Sequence, residues 1–222
     1  GFKNTIYSTG VGTRFEQYKN IYLAPSIFLS YDDLKVQTSA SDSMKKNAGT
    51  FTDLGFSYSV SLDKRDRTFN PTSGYTSGFS QAFPIYADSG YLENKYAASV
   101  YKAFSPNLIG ATKFYVGAIN SIGDDDIRVS KRLSLSESRL RGFEKGKVGP
   151  VDGTDFIGGN YVSAINLEAS LPNFLPESTK TEVQLFFDVG NVWGVDYSSG
   201  IDDSNKIRSS AGINTNWLSP IG

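Results

Sequence analysis

Apolar and polar residues alternate along several segments of the chain. The alternation is most regular between residues 53 and 63, where the odd positions are all Asp, Gly or Ser. The even positions of that segment are Leu54, Phe56, Tyr58, Val60 and Leu62. Residues 159–171 and 181–193 show the same period, with Phe186 as an apolar exception on a polar face. A period of two residues predicts β-strands with one apolar and one polar face.

Weaker alternation covers much of the remaining chain. It occurs at residues 21–31, 75–83, 96–104, 108–120 and 207–217, with a poorer candidate at 5–15. We count about nine strands and no convincing amphipathic helix. Short turns alternate with longer polar connections at 35–50, 124–158 and 194–205. This arrangement of connections is typical of an outer-membrane barrel.

A soluble antiparallel sandwich or lipocalin-like barrel has the same two-residue period. However, the segments here are about 10 to 13 residues long, whereas sandwich strands usually have about 5 to 6. Their polar faces are rich in Ser, Gly, Asn and Thr, which suits a water-filled lumen, and aromatic residues lie near strand ends. We therefore predict an all-β fold, an antiparallel transmembrane β-barrel fragment. A soluble barrel would instead bury the apolar positions of residues 53–63.

Composition argues against several classes of function. The 222 residues include no Cys and no His, which removes thiol nucleophiles, disulfides, thiolate metal sites and the usual general base. The net charge of -1 gives no long-range attraction for nucleic acid, so we predict no nucleic-acid partner. Asp124, Asp125 and Asp126 are consecutive and lack the alternating ligand spacing of a calcium loop. We interpret them as a solvated acidic segment.

Residues 123–158, here called the long loop, exceed the about 12 to 15 residues usual for a loop without structure of its own. Such a length indicates either a functional or a disordered segment. Residues 138–150 favour function, because their three glycines permit tight turns and two apolar side chains can anchor to a wall. At the centre of this stretch lies the loop motif, which consists of Leu140, Arg141, Gly142 and Phe143.

Other motifs occur in a defined order around the loop motif. Asp-Lys-Arg-Asp at 63–66 is followed by Asn-Pro-Thr-Ser-Gly-Tyr at 70–75. After the loop motif come Gly149-Pro150, Gly158-Gly159-Asn160, Leu171-Pro172, Phe-Asp-Val-Gly-Asn-Val-Trp at 187–193 and Trp-Leu-Ser-Pro-Ile-Gly at 217–222. This set resembles the BamA family of outer-membrane-protein assembly factors, which has a (V/L)RGF motif in a long extracellular loop. The order and spacing of the motifs are far more specific than the loop motif alone.

The resemblance implies a role for specific residues. In that family the long loop folds back into the barrel lumen, and its arginine contacts acidic residues of the inner wall. Arg141 matches the motif arginine, and Glu168 and Asp188 occupy the matching wall positions. The alternation independently places both acids on polar faces of consecutive strands. A guanidinium can donate hydrogen bonds to two carboxylates at once, and each such bond contributes about 1.5–3 kcal/mol.

The resemblance also implies a function. It predicts a protein of the bacterial outer membrane that helps to fold and insert other β-barrels, without catalytic residues, metal or cofactor. The implied partners are the lipid bilayer, nascent outer-membrane proteins and, in the full-length protein, assembly lipoproteins. Residues 1–222 would form part of one barrel domain, with the first and last strands and the POTRA repeats outside the chain. Such an open sheet has two unpaired edges, through which an isolated fragment would dimerise or aggregate.

Related and unrelated alternatives remain at this point. The sibling assembly factor TamA and the two-partner secretion transporters share a similar loop motif. Gly149-Pro150, Gly158-Gly159-Asn160 and residues 217–222 resemble BamA more closely. A passive porin would keep the alternation and the long loops but need not carry this ordered set of motifs.

Overall fold

The computed structural model describes residues 2–179, 181–196, 201 and 206–217, and residues 218–222 of the terminal motif lie outside this part. The described chain is built mainly from antiparallel strands. Their bounds are β1 (Phe2–Gly12), β2 (Phe15–Tyr18), β3 (Ile21–Val36), β4 (Gly49–Asp63), β5 (Ser73–Ala87), β6 (Gly90–Ser105), β7 (Leu108–Ile122), β8 (Val151–Asp152), β9 (Asp155–Phe156), β10 (Tyr161–Leu171), β11 (Thr181–Trp193) and β12 (Arg208–Trp217). A five-residue helix, α1 (Asp42–Lys46), lies in the 35–50 connection, where no helix was predicted.

The main sheet follows the order β1-β3-β4-β5-β6-β7-β10-β11-β12, and β2 pairs with β3 beside this path. The predicted strands at 53–63, 159–171 and 181–193 correspond to β4, β10 and β11, whereas the poorer candidate at 5–15 is divided between β1 and β2. Among the described residues, β1 and β12 end the path and do not pair with each other. The predicted all-β antiparallel fold is confirmed. Association of the isolated chain through these two edges stays a prediction.

The two faces of the sheet differ in polarity. Leu54 and Val60 of β4 are 38% and 39% exposed, whereas Asp53 on the opposite face is fully buried. The same division holds in β10 and β11, where Leu167 and Phe187 are both 45% exposed. Apolar side chains therefore cover the outer face, as a lipid-facing surface requires, and the opposite face forms the inner wall. In the described residues, no helix has the length and hydropathy needed to cross a membrane.

The hydrophobic core lies against the inner wall. Leu133, Leu135 and Leu140 of the long loop pack in one cluster with side chains of β7, β10 and β11. The wall residues Val162 and Val192 are almost completely buried in this cluster. The long loop is therefore packed on the sheet, and most of its apolar residues are inaccessible to solvent. It also has local structure, namely a 3-10 turn at Val129–Lys131 and the hairpin of β8 and β9.

The 35–50 connection closes over the hairpin of the long loop. Met44 of α1 is fully buried against Ile157. The backbone N–H of Ser43 donates to a carboxylate oxygen of Asp152 at 2.9 Å, and hydrogen bonds from Ser43 lower the pKa of Asp152. A second backbone hydrogen bond runs from Ser41 to Asp155 at 2.8 Å. The long loop is thus held between the inner wall and α1.

The turn between β4 and β5 is closed by charged side chains. The guanidinium of Arg65 donates to both carboxylate oxygens of Asp63, at 2.9 and 2.6 Å. Asp66 accepts hydrogen bonds from the backbone N–H groups of Thr72 and Ser73. The Thr72 hydroxyl, together with these N–H groups, lowers the pKa of Asp66 to about 2. These contacts fix the turn that carries the Asp-Lys-Arg-Asp motif.

Candidate loop-docking site

Two neighbouring strands supply the acidic side of the site. Glu168 lies on β10 and Asp188 on β11, and the side chains of both are almost fully buried. In the antiparallel register Asn166 is opposite Asp188, and Glu168 is opposite Phe186. Directly opposed residues share a face of the sheet, so all four side chains belong to the inner wall. The alternation of β10 and β11 puts both carboxylates on the inner wall, and the register of the strand pair brings them together.

The structure places Arg141 of the long loop against both acids. Its Nε and Nη2 atoms donate to the two carboxylate oxygens of Asp188 at 2.7 and 2.6 Å. Its backbone N–H donates to the same carboxylate at 3.0 Å, and Nη2 lies 3.1 Å from Oε1 of Glu168. The hydrogen bond with Asp188 raises the pKa of Arg141, so the guanidinium stays protonated. Paired N–H donors facing one carboxylate give a strong and strongly oriented ion pair.

Polar neighbours make further hydrogen bonds and ion pairs with the two carboxylates. Asn166 donates from Nδ2 to Oδ1 of Asp188 at 2.7 Å and to the backbone carbonyl of Arg139 at 2.9 Å. Lys113 of β7 lies 2.6 Å from Oε2 of Glu168. The two acids thus face two cations, and this balance of charge permits their burial. Asn166 and Lys113 were not among the predicted site residues.

Phe186 completes the site and explains an irregularity of the sequence. The guanidinium carbon of Arg141 lies 4.0 Å from the centroid of its ring. A cation over an aromatic face gains about 0.5–2 kcal/mol, with the larger values at desolvated sites. Phe186 was the apolar exception on the polar face of residues 181–193. That break in the alternation was the sequence feature from which a role of Phe186 in the site could have been predicted.

The other residues of the loop motif fix the backbone around Arg141. Leu140 is 1% exposed in the core cluster, and Phe143 packs against the same cluster. Gly142 has a φ of +83°, in the left-handed region that favours glycine. A Cβ added to Gly142 would lie 3.9 Å from the nearest atom, in Ser210, so its backbone conformation and not lack of space explains the glycine. The motif thus combines two apolar anchors, one turn and one cation.

Substitution of Phe186 with leucine is expected to weaken the loop contact by about 1 kcal/mol, because the cation–π contact is lost while an apolar side chain is kept. The measurement is the rate of tryptic cleavage after Lys145 in the full-length protein. Phe187→Leu is the matched control, since the adjacent Phe187 points to the outer face. Equal cleavage rates in wild type and Phe186→Leu would contradict this prediction.

A cavity of about 540 Å³ opens beside the site. Its lining includes Arg141, Lys113, Glu168, Glu182 and Gln184. These polar walls suit water or an extended polar segment better than an apolar ligand. In the part of the chain that is described, no group of three or more Asp, Glu, His or Cys residues is arranged to hold a metal ion.

Comparisons with known proteins agree with this architecture. A family model described as the Omp85 superfamily domain matches residues 2–222. The outer membrane protein assembly factor BamA of Neorickettsia risticii is 32% identical over 200 residues, which make up 87% of this chain and 27% of that protein. A SAM50-like protein of Schizosaccharomyces pombe is 26% identical over 166 residues, 69% of this chain and 34% of that protein. The chain thus spans about a quarter to a third of the length of these relatives.

The solved structures give the same fold. The crystal structure of BamA from Haemophilus ducreyi lacking POTRA domains 1-3 superposes with a TM-score of 0.83 at 22% identity. The match covers 99% of this chain and 49% of that chain. The predicted resemblance to BamA-family assembly factors is confirmed by these findings. The chain belongs to the Omp85 superfamily, and its location is the bacterial outer membrane.

Proposed function

We propose that the full-length protein folds and inserts other proteins into the bacterial outer membrane. In this proposal Arg141 docks the long loop on Glu168 and Asp188 and keeps it inside the lumen. The observation that carries the proposal is the Asp188 carboxylate, which is fully buried and accepts three hydrogen bonds from Arg141. Two of the relatives are named outer membrane protein assembly factor BamA, which supports the same role.

The proposed mechanism is physical and involves no covalent chemistry. The docked loop stiffens β7, β10 and β11 from the inside, because its apolar residues pack on all three strands. A stiffened wall would let another part of the full barrel open and offer strand edges to an incoming chain. We propose that residues 1–222 belong to that single barrel domain. Its partners would be the bilayer, nascent outer-membrane proteins and assembly lipoproteins.

Reconstitution of the full-length protein in liposomes tests this proposal. An unfolded outer-membrane barrel protein is added, and the amount of folded, protease-resistant product is measured over time. We expect faster folding than in empty liposomes. A passive porin would give ion conductance with no acceleration of folding, and that result would overturn the proposal.

A further inference from the structure

A second arginine of the long loop contacts a different part of the inner wall. Nη2 of Arg128 lies 2.6 Å from both carboxylate oxygens of Asp53 on β4, 75 residues away along the chain. Lys131 lies 2.6 Å from Oδ2 of the same carboxylate. The side chain of Asp53 is fully buried, and that of Arg128 is 4% exposed. Four strand pairings of the main sheet separate β4 from β10, so this contact is remote from Arg141.

The two arginine sites have the same layout. At the first, Arg141 lies 4.0 Å above Phe186, which precedes the acid Asp188 by two residues. At the second, Arg128 lies 4.5 Å above Phe51, which precedes the acid Asp53 by two residues. Residues two apart on a strand share a face, so in both sites the ring and the carboxylate are neighbours on the inner wall.

The correspondence extends to a further acid on the adjacent strand. Glu168 on β10 is directly opposite Phe186, and Asp32 on β3 is directly opposite Phe51. Opposed residues of an antiparallel pair have Cβ atoms about 4.5–5.5 Å apart, so each acid stands beside the ring that carries the guanidinium. The same set of Phe, Asp and opposed acid therefore occurs in two pairs of strands.

Asp32 is the member of the second set whose bonding is incomplete. It is 1% exposed, and both of its carboxylate oxygens are buried without a hydrogen-bond partner among the described residues. Nε and Nη1 of Arg128 are likewise buried without a partner there. Such atoms are rare in folded proteins, and a buried carboxylate is stable only when it is paired. The Asp32 carboxylate and two guanidinium nitrogens of Arg128, none of which has a hydrogen-bond partner among the described residues, thus lie beside the same ring, that of Phe51.

We propose that Arg128, Phe51, Asp53 and Asp32 form a second arginine-docking site, in which Asp32 is an alternative acceptor for the guanidinium of Arg128. This site tethers the beginning of the long loop to β3 and β4, as Arg141 tethers its middle to β10 and β11. The loop is then a brace between two separate parts of the inner wall. With Lys131 included, two cations face two acids, as they do around Arg141. This second site holds the loop whether or not the protein has assembly activity.

A double-mutant cycle in the full-length protein tests the role of Asp32. The readout is hydrogen–deuterium exchange of the backbone at residues 126–132, with residues 161–193 as a check that the barrel is folded. We expect Asp32→Asn to change exchange little and Asp53→Asn to raise it modestly, because Arg128 can then turn to Asp32. The double variant is expected to raise exchange about tenfold more than the product of the single effects. Asp33→Asn is the matched control, since Asp33 pairs with the exposed Lys35.

Two results would overturn the proposal: additive effects of the two substitutions on exchange, or an effect of Asp53→Asn alone as large as that of the double variant. Either result would mean that Arg128 makes a simple salt bridge with Asp53 and does not use Asp32. If the double variant does not fold, the Arg128→Lys variant tests the role of Asp32 instead. The ammonium keeps the charge but lacks Nε and Nη1, the two donors of Arg128 that have no partner among the described residues and are available to Asp32. We expect Asp53→Asn to raise exchange about tenfold more in the Arg128→Lys background than in wild type. An unchanged effect in that background would equally overturn the role of Asp32.

Discussion

Replacing Arg141 with alanine in the full-length protein is expected to release the long loop and to abolish most of the assembly activity. The substitution removes both side-chain hydrogen bonds to Asp188 and the contact with Glu168. Removing one partner of a buried ion pair costs about 3–5 kcal/mol, and the 18% exposure of the Arg141 side chain places the cost near the lower end. Exchange of the loop backbone measures the opening, and the liposome assay measures the activity.

Two variants control this experiment. Lys145→Ala removes an exposed cation from the same loop and should leave both measurements unchanged. Arg141→Lys keeps the charge but cannot donate in parallel to the two oxygens of Asp188, so an intermediate result is expected. Wild-type loop protection in Arg141→Ala would show that the apolar contacts alone hold the loop.

Asp188→Asn is expected to have the second-largest effect, close to that of Arg141→Ala. Asp188 accepts hydrogen bonds from the side chain and backbone of Arg141 and from Asn166. An asparagine has one acceptor oxygen and no charge, so we expect a loss of about 3 kcal/mol in the free energy of loop opening. Loop exchange in the single and double variants with Arg141→Ala provides the measurement. The double variant should be little worse than either single variant, because all of them disrupt the same contact.

Glu168→Gln is the comparison for this prediction. Glu168 makes one contact with Arg141 and is also paired with Lys113. Its substitution should therefore cost about 1 kcal/mol, less than Asp188→Asn. A larger effect for Glu168→Gln than for Asp188→Asn would contradict the assignment of Asp188 as the acid that contributes more to loop docking.

The alternation of residues predicted the strand residues of the site but not the loop residue that docks on them. It placed Glu168 and Asp188 on polar faces because each strand has a period of two residues, which is a local property. The conformation of the long loop depends instead on contacts between distant positions, such as Arg141 and Asp188, 47 residues apart. The loop motif became interpretable only through its resemblance to a known family.

Apolar residues on the inner wall mark the places where the long loop packs. Phe186 was recognised in the sequence as an exception to the alternation, whereas Val162 and Val192 were not, and all three lie against the long loop. A wall exposed only to water would have no reason to carry them. Asp53, in contrast, fitted the polar pattern of residues 53–63 so well that its pairing with Arg128 left no local signal. Helix α1 was missed because its five residues are too few to show a helical period.

Hydrogen exchange at the backbone amide of Arg141 tests the central claim most directly. This N–H donates to the Asp188 side chain at 3.0 Å, so its protection reports loop docking and not strand pairing. In the full-length protein in a lipid bilayer, we predict that it exchanges as slowly as the amides of β10 and β11. Asp188→Asn should accelerate its exchange while the strand amides stay protected. Exchange in wild type as fast as that of the exposed residues 123–125 would contradict a docked loop.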